Sequence, residues 1–270
     1  MDRRSFLSRA GLVTAGALPA AGVGFIMEPV LDTEGPMART AVPSGLTDAR
    51  VVTVRFREHP AKRLVALTID DGPTAEWTPR VLRILARRSV PATFFLVGQR
   101  AQSLPEMVKR AADAGHELGN HTWAHTDLTH LDEAAARGAL EPTHELITRL
   151  TGRGPTLCRP PYGRIDSVGL AVCAGLGYGV TLWSDHVTGS NARANVDTVL
   201  RQATPGSIVL AHDGGSEPNA SLMTQLDRLV GAMADAGYAF VTVSQLLAAP
   251  ARQSAVSTAA GRGTAAAAVS

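Results

Sequence analysis

A chain of 270 residues, 45% of them apolar, is long enough to bury a sizeable core as one large or two small domains. Its formal charge of +2 sits at the start: residues 1–27 hold Arg3, Arg4 and Arg9 against Asp2, which leaves 23 of the 26 basic and 23 of the 24 acidic residues for the rest. So neutral a body excludes an extended basic patch for nucleic acid and suits a neutral or weakly charged substrate.

Arg3-Arg4-Ser5-Phe6-Leu7, followed by a mildly apolar, Ala- and Gly-rich stretch from Ala10 to about Ile26, resembles a twin-arginine export signal over residues 1–27, with cleavage near Ala20-Ala21. An uncleaved membrane anchor is the alternative; the stretch is short, rich in Gly and interrupted by Pro19. No other stretch is long and apolar enough to cross a bilayer. The reading is an exported protein, extracellular or associated with the cell wall, with no stable membrane partner after cleavage. Residues 28–60 read as a linker with one short strand at Val51–Phe56.

From there strand and helix patterns alternate. Leu64–Ile69 is a short apolar strand, and Thr78–Arg88 has helical spacing at Val81, Leu82 and Leu85. Thr93–Val97 reads as strand and Pro105–Ala114 as a helix opened by proline and stopped by Gly115. Glu117–Gly119 is a short extended piece that delivers His121. Asp132–Leu150 is a long helix with Asp132 as its cap, which Pro142 is expected to kink or split. Thr156–Cys158 is strand, Ser167–Gly175 helix, Gly179–Trp183 strand, Asn195–Ala203 helix, Ser207–Ala211 strand, Ser221–Ala236 helix, and Phe240–Val243 the last strand. Residues 251–270, rich in Ala, Ser, Gly and Thr, read as a disordered tail after a catalytic domain at 61–250. Such alternation predicts an α/β fold: parallel strands covered by helices, about seven of them, in a distorted (β/α) barrel. An exported chain permits a disulfide between Cys158 and Cys173; two buried free thiols fit the sequence equally.

Polar residues collect just past the strand ends, where a barrel gathers its active site. Asp70-Asp71 ends the first strand, in an Asp-Asp-Gly-Pro segment that turn chemistry alone also explains. His121 and His125 are four apart, a spacing that would place both rings on one side of a helical turn and let them share a metal with one carboxylate. His116 and His130 read as structural and surface residues, and His59 and His144 have no chemical company. Arg159 precedes two prolines that stiffen its turn, and near Asp70 it would orient that carboxylate. His212 leaves a buried strand into Asp213-Gly214-Gly215, read as a turn, and an imidazole there suits a proton donor. No Gly-x-Ser-x-Gly elbow is present.

Thr68–Pro73, His121–His125, Arg159–Gly163, Leu210–His212 and the run Gly115–Thr122 resemble, in order, the motifs of the polysaccharide deacetylases, carbohydrate esterase family 4 (the NodB homology domain). The resemblance covers roughly residues 61–250. It implies a metal-dependent hydrolase that removes acetyl groups from N-acetylglucosamine-containing polysaccharide or oligosaccharide, with acetylxylan O-deacetylation or non-catalytic glycan binding as alternatives. It implies that Asp71, His121 and His125 hold a divalent ion, zinc first, with cobalt, nickel or manganese as alternatives. It makes Asp70 the general base, Arg159 its orienter, His212 the general acid, the Tyr162 N–H an oxyanion donor and Leu210 part of the acetyl pocket. One departure stands out. Where the family shows Asp-x-x-Asp-Trp, the chain reads Trp183-Ser184-Asp185-His186-Val187-Thr188-Gly189, so either Asp185 supports His212 from a shifted position or His212 lacks that support.

Overall fold

The computed structural model describes residues 51–252. The export signal, residues 28–50 of the linker and residues 253–270 of the tail lie outside the described residues. No described helix is long and apolar enough to cross a membrane.

The strands are β1 (Val54–Arg55), β2 (Leu64–Asp70), β3 (Thr93–Leu96), β4 (Glu117–Asn120), β5 (Leu157–Cys158), β6 (Gly179–Thr181), β7 (Asp185–His186), β8 (Ile208–His212) and β9 (Ala239–Val241). The helices are α1 (Thr78–Ala86), α2 (Gly98–Ser103), α3 (Pro105–Asp113), α4 (Glu133–Thr151), α5 (Ser167–Gly175), α6 (Ala192–Gln202), α7 (Ala220–Asp235) and α8 (Val243–Leu247). The sheet order is β1-β6-β5-β4-β3-β2-β8-β7, with β9 also paired to β2, and every strand pair is parallel. β6, next to the end strand β1, and β7, the strand at the other end of this path, are joined by only Leu182-Trp183-Ser184. That short connection curls the sheet round into the distorted (β/α) barrel that the alternation predicted. β2 lies at the centre because its Leu64–Asp70 run is almost wholly buried, as a parallel strand covered on both faces must be.

Helix ends follow their side chains. Asp132, Asp166 and Asn219 each accept a hydrogen bond from the third residue onward, Ala135, Gly169 and Leu222, and Thr242 forms a capping box with Gln245. Gly152 ends α4 at φ 74°, where a side chain would be strained.

Several expectations are corrected. Pro142 does not split its helix; α4 runs unbroken from Glu133 to Thr151. Proline takes away the N–H that would meet the Gly138 carbonyl. The neighbouring carbonyls of Ala139 and Leu140 are engaged from outside, by the Trp123 N–H at 2.7 Å and Asn120 Nδ2 at 2.9 Å, so tertiary bonds hold the helix through the proline. Part of the expected linker is fixed to the domain: β1 pairs with β6, Arg57 bridges Ser207, and Pro60 bridges Ala251, the first residue of the expected tail. The strand expected at Phe240–Val243 ends at Val241 and Val243 opens α8. His144 has company after all, its Nδ1 lying 2.8 Å from the Tyr178 hydroxyl. Cys158 and Cys173 are both buried free thiols, and hydrogen bonding to Cys173 with burial pushes the Cys158 thiol well up.

Candidate active site

Asp70 closes β2 and pairs in register with His212, the last residue of β8, so the two side chains emerge side by side at one end of the barrel. Arg159 follows β5 and is fully buried. Its Nη1 donates to Asp70 Oδ1 at 2.7 Å and to Thr68 Oγ1 at 2.8 Å, Nε donates to the Thr181 carbonyl at 3.0 Å and Nη2 to the Leu182 carbonyl at 3.0 Å. The guanidinium also lies 4.2 Å from the Phe95 ring centroid. All three nitrogens are satisfied, which is the condition under which a buried ion pair holds its geometry.

Asp71 leaves the strand at φ 73°. That left-handed step departs from strand alternation and brings its carboxylate to the histidines: Oδ1 lies 3.3 Å from His121 Nε2 and 3.2 Å from His125 Nε2. The expected helical turn is absent. Residues 121–129 form a loop, with Thr122 at φ 65° and His125 at φ 56°, and the Thr122 N–H is held by Asn120 Oδ1 at 2.9 Å. The four-residue spacing thus reaches a shared point through left-handed backbone. His121 Nδ1 meets the Arg159 carbonyl at 2.6 Å, which fixes Nδ1 as the donor and leaves Nε2 bare toward Asp71.

These three residues fit a metal. Their ligand atoms lie within 4.8 Å of one another. A tetrahedral site with bonds of about 2.0–2.1 Å has edges of about 3.3–3.4 Å. Both nitrogens approach Asp71 Oδ1 at nearly that spacing, yet this buried oxygen receives no well-formed hydrogen bond. Burial raises the Asp71 carboxyl, but the facing imidazoles outweigh it and hold it well below the carboxylate range. Burial lowers His121, and the charges of Asp70 and Asp71 outweigh that and raise it. A site so eager for positive charge suits a divalent cation in place of the proton.

A cavity of about 620 Å³ opens over this cluster, lined by Asp70, Asp71, His121, His125, Tyr162, Trp183, Leu210, His212 and Glu217 among others. Tyr162 sits at φ 60° in the turn Pro161–Gly163; its ring is exposed and packs edge-on to His125 at 4.8 Å. Its N–H makes no hydrogen bond among the described residues. Trp183 lines the cavity, and a Cβ on Gly163 would come within 3.0 Å of its ring.

Asp185 does not support His212. It pairs in register with Val209, three residues before His212, accepts from Ser184 Oγ at 2.7 Å and lies 3.7 Å from Arg57 Nη2. His212 Nδ1 is buried without a hydrogen-bond partner among the described residues. His116 is structural as expected, its Nδ1 accepting the Ala92 N–H at 3.2 Å.

Three residues escaped the sequence. Arg100 donates to the Asp71 carbonyl at 2.5 Å. Glu217 lines the cavity. Asp213, read as part of a turn, is fully buried: its N–H donates to the Asp70 carbonyl at 3.1 Å and its Oδ2 accepts from Thr78 Oγ1 at 2.5 Å. Burial pushes its carboxyl up to about 7. The glycines flanking this contact carry the signal that was available, because a Cβ on Gly72 would strike the Asp213 carboxylate, and one on Gly214 the Asp71 carbonyl.

The family profile described as Polysaccharide deacetylase matches residues 57–181. A peptidoglycan-N-acetylglucosamine deacetylase of Bacillus cereus is 37% identical over 188 residues, covering 68% of each chain. Against several longer curated relatives this chain spans only 38–39% of their length. Among solved structures, a peptidoglycan N-acetylglucosamine deacetylase in complex with an N-hydroxybenzamide compound superposes with a TM-score of 0.68 at 32% identity, over 74% of this chain and 95% of that one. A CE4-family pseudoenzyme from Bacillus anthracis superposes at 0.65 with 28% identity, over 73% and 69%.

Proposed function

The chain belongs to the polysaccharide deacetylase family, and from that premise we propose that it hydrolyses the N-acetyl groups of N-acetylglucosamine units in peptidoglycan, chitin or chito-oligosaccharide. The observation that carries this reading is one cavity in which an Arg159-held carboxylate, an Asp-His-His cluster and a histidine meet. Asp71, His121 and His125 would hold a divalent ion, which we propose to be zinc, with cobalt, nickel or manganese as alternatives for this mixed N,N,O set. When bound, that ion supplies Lewis acidity for the acetyl carbonyl and lowers the pKa of water.

The protein's own groups do the rest. Asp70, fixed through Oδ1 by Arg159, takes a proton from the attacking water on its other oxygen. The unpaired Tyr162 N–H donates to the carbonyl oxygen as negative charge builds there. Leu210 and Trp183 enclose the acetyl methyl group. His212 gives its proton to the departing sugar nitrogen as the C–N bond breaks, so water and amide become acetate and free amine.

Acetate release from chito-oligomers and peptidoglycan tests this reading, with zinc and with chelator. The purified chain is expected to release acetate with zinc, chelator to abolish it, and Asp70→Asn to abolish turnover while zinc still binds. Silence on every acetylated glycan with metal supplied would sink it. The unpartnered His212 Nδ1 favours a second reading, a weakly active or non-catalytic glycan binder, which binding without acetate release would support. Acetate release from acetylxylan in preference to chito-oligomers would favour O-deacetylation. Arg3-Arg4 supports export to the cell exterior or wall; Arg3→Lys with Arg4→Lys should retain the full chain inside the cell.

A further inference from the structure

The cavity has a wall that no part of the hydrolytic scheme uses, formed where the loop after β7 meets the loop after β8. Glu217 supplies it. Its Oε2 accepts the Gly189 N–H at 2.8 Å, and its own backbone carbonyl lies where a Cβ on Gly189 would have to be. Position 189 is therefore bare because the Glu217 backbone fills the space beside it. Asn219, two residues on, crowds the same point with its amide and caps α7 through the Leu222 N–H at 2.8 Å. Glu217 is thus seated by two elements, and it is half-buried.

Among the described residues only one of its carboxylate oxygens is engaged, and Oε1 accepts no hydrogen bond. Among the described residues that line the cavity, the other carboxylates are Asp70 and Asp71, the first held by Arg159 and the second facing both histidines. The aromatic rings of Tyr162 and Trp183 line the same space. An apolar ring to lie against the face of a pyranose, with an anchored carboxylate to take hydroxyls at its edge, is a complementary pair for a neutral sugar. A cavity of about 620 Å³ falls within the usual size range for small-ligand sites.

We propose that Glu217 is a substrate-binding residue: its free oxygen accepts a hydrogen bond from a hydroxyl of the acetylated sugar, so the site selects neutral glycan units over sugar-free acetyl esters. This inference rests on the deacetylase reading for the reaction but concerns recognition alone. A carboxylate on this wall also repels anionic sugars, which matches the near-neutral substrate expected from the chain's charge balance.

The test compares two substrates on the zinc-loaded full chain: tetra-N-acetylchitotetraose and 4-nitrophenyl acetate, which has no sugar hydroxyl. Glu217→Ala should lower kcat/KM for the tetrasaccharide about tenfold more than for the ester, with the difference in KM. Glu217→Gln, which keeps an acceptor without the charge, should show a smaller gap of about threefold. Gly189→Ala, whose new methyl would displace the Glu217 backbone, should reproduce the Glu217→Ala gap from the opposite loop. Equal losses on both substrates would mean that Glu217 merely ties two loops together, and an unchanged tetrasaccharide KM would equally overturn the proposal. Calorimetric titration of the tetrasaccharide into Asp70→Asn protein, with and without Glu217→Ala, separates this from hydrolysis. A tenfold weaker Kd would uphold recognition even if the wild-type chain released no acetate.

Discussion

The two halves of the cavity are built to different standards. On the β2–β5 side, Asp70, Arg159 and His121 interlock: the guanidinium spends all its nitrogens on fixed acceptors, and the imidazole is oriented by the Arg159 carbonyl. On the β7–β8 side, the His212 Nδ1 and Asp213 Oδ1 are buried without partners among the described residues, and the β7 carboxylate, Asp185, is turned to Ser184 and Arg57. The half that carries the proposed base and the proposed cation ligands is the more fully hydrogen-bonded. The half that carries the proposed proton donor and sugar contact is less fully hydrogen-bonded. Preorganisation is concentrated where charge has to be fixed before substrate arrives.

Breaking the more fully bonded half should cost most. Arg159→Met leaves the buried Asp70 carboxylate without its ion-pair partner. Unfolding in denaturant should show a loss of about 3–5 kcal/mol, with acetate release at least a hundredfold lower. Gly215→Ala attacks the seam between the halves, since Gly215 stands at φ 68° and a Cβ there would lie 2.6 Å from Asp71 Oδ2. Zinc affinity should fall about tenfold in a competition titration, with less effect on folding.

Asp213→Asn probes the less bonded half by pH. The Asp213 carboxyl is at 3.8 when unfolded and about 7 when folded, so between these values the folded protein holds a proton that the unfolded chain gives up. Wild-type stability from this group is therefore present in acid and is lost as pH rises from about 4 to 7. In metal-free protein, the stability advantage of Asp213→Asn should be nearly absent near pH 4, grow to about 4 kcal/mol by pH 8 and then stay level, as read from thermal melts. A flat difference across pH would show that Asp213 is neutralised by something else. The smallest effect is expected from Asp185→Asn, which should change acetate release less than about threefold because Asp185 touches neither His212 nor the cavity. A hundredfold loss there would erase the contrast between the halves.

Much of this was legible beforehand, where the signals are local. The Asp132 cap, the proline opening of α3, the apolar run of β2 and the placement of Asp70, His121, Arg159 and His212 at or past strand ends each depend on a few neighbouring residues. The short β7 and the short α2 were missed because two to six residues carry too little period to register. The left-handed steps at Asp71, Thr122 and His125 were missed because non-glycine residues take them only when surrounding contacts pay the cost.

The amino-acid order by itself determined which chemical groups this protein owns and that they would lie at one end of a parallel barrel, since strand–helix alternation and strand-end placement are short-range properties. Only the tertiary structure decided which groups face each other. The pairing of Asp70 with His212 joins residues 142 positions apart, and the diversion of Asp185 to Arg57 follows from a strand register that seats it beside Val209. The physical reason is that register is set by the packing of many side chains at once, and one residue of slip would turn each carboxylate to the opposite face of the sheet.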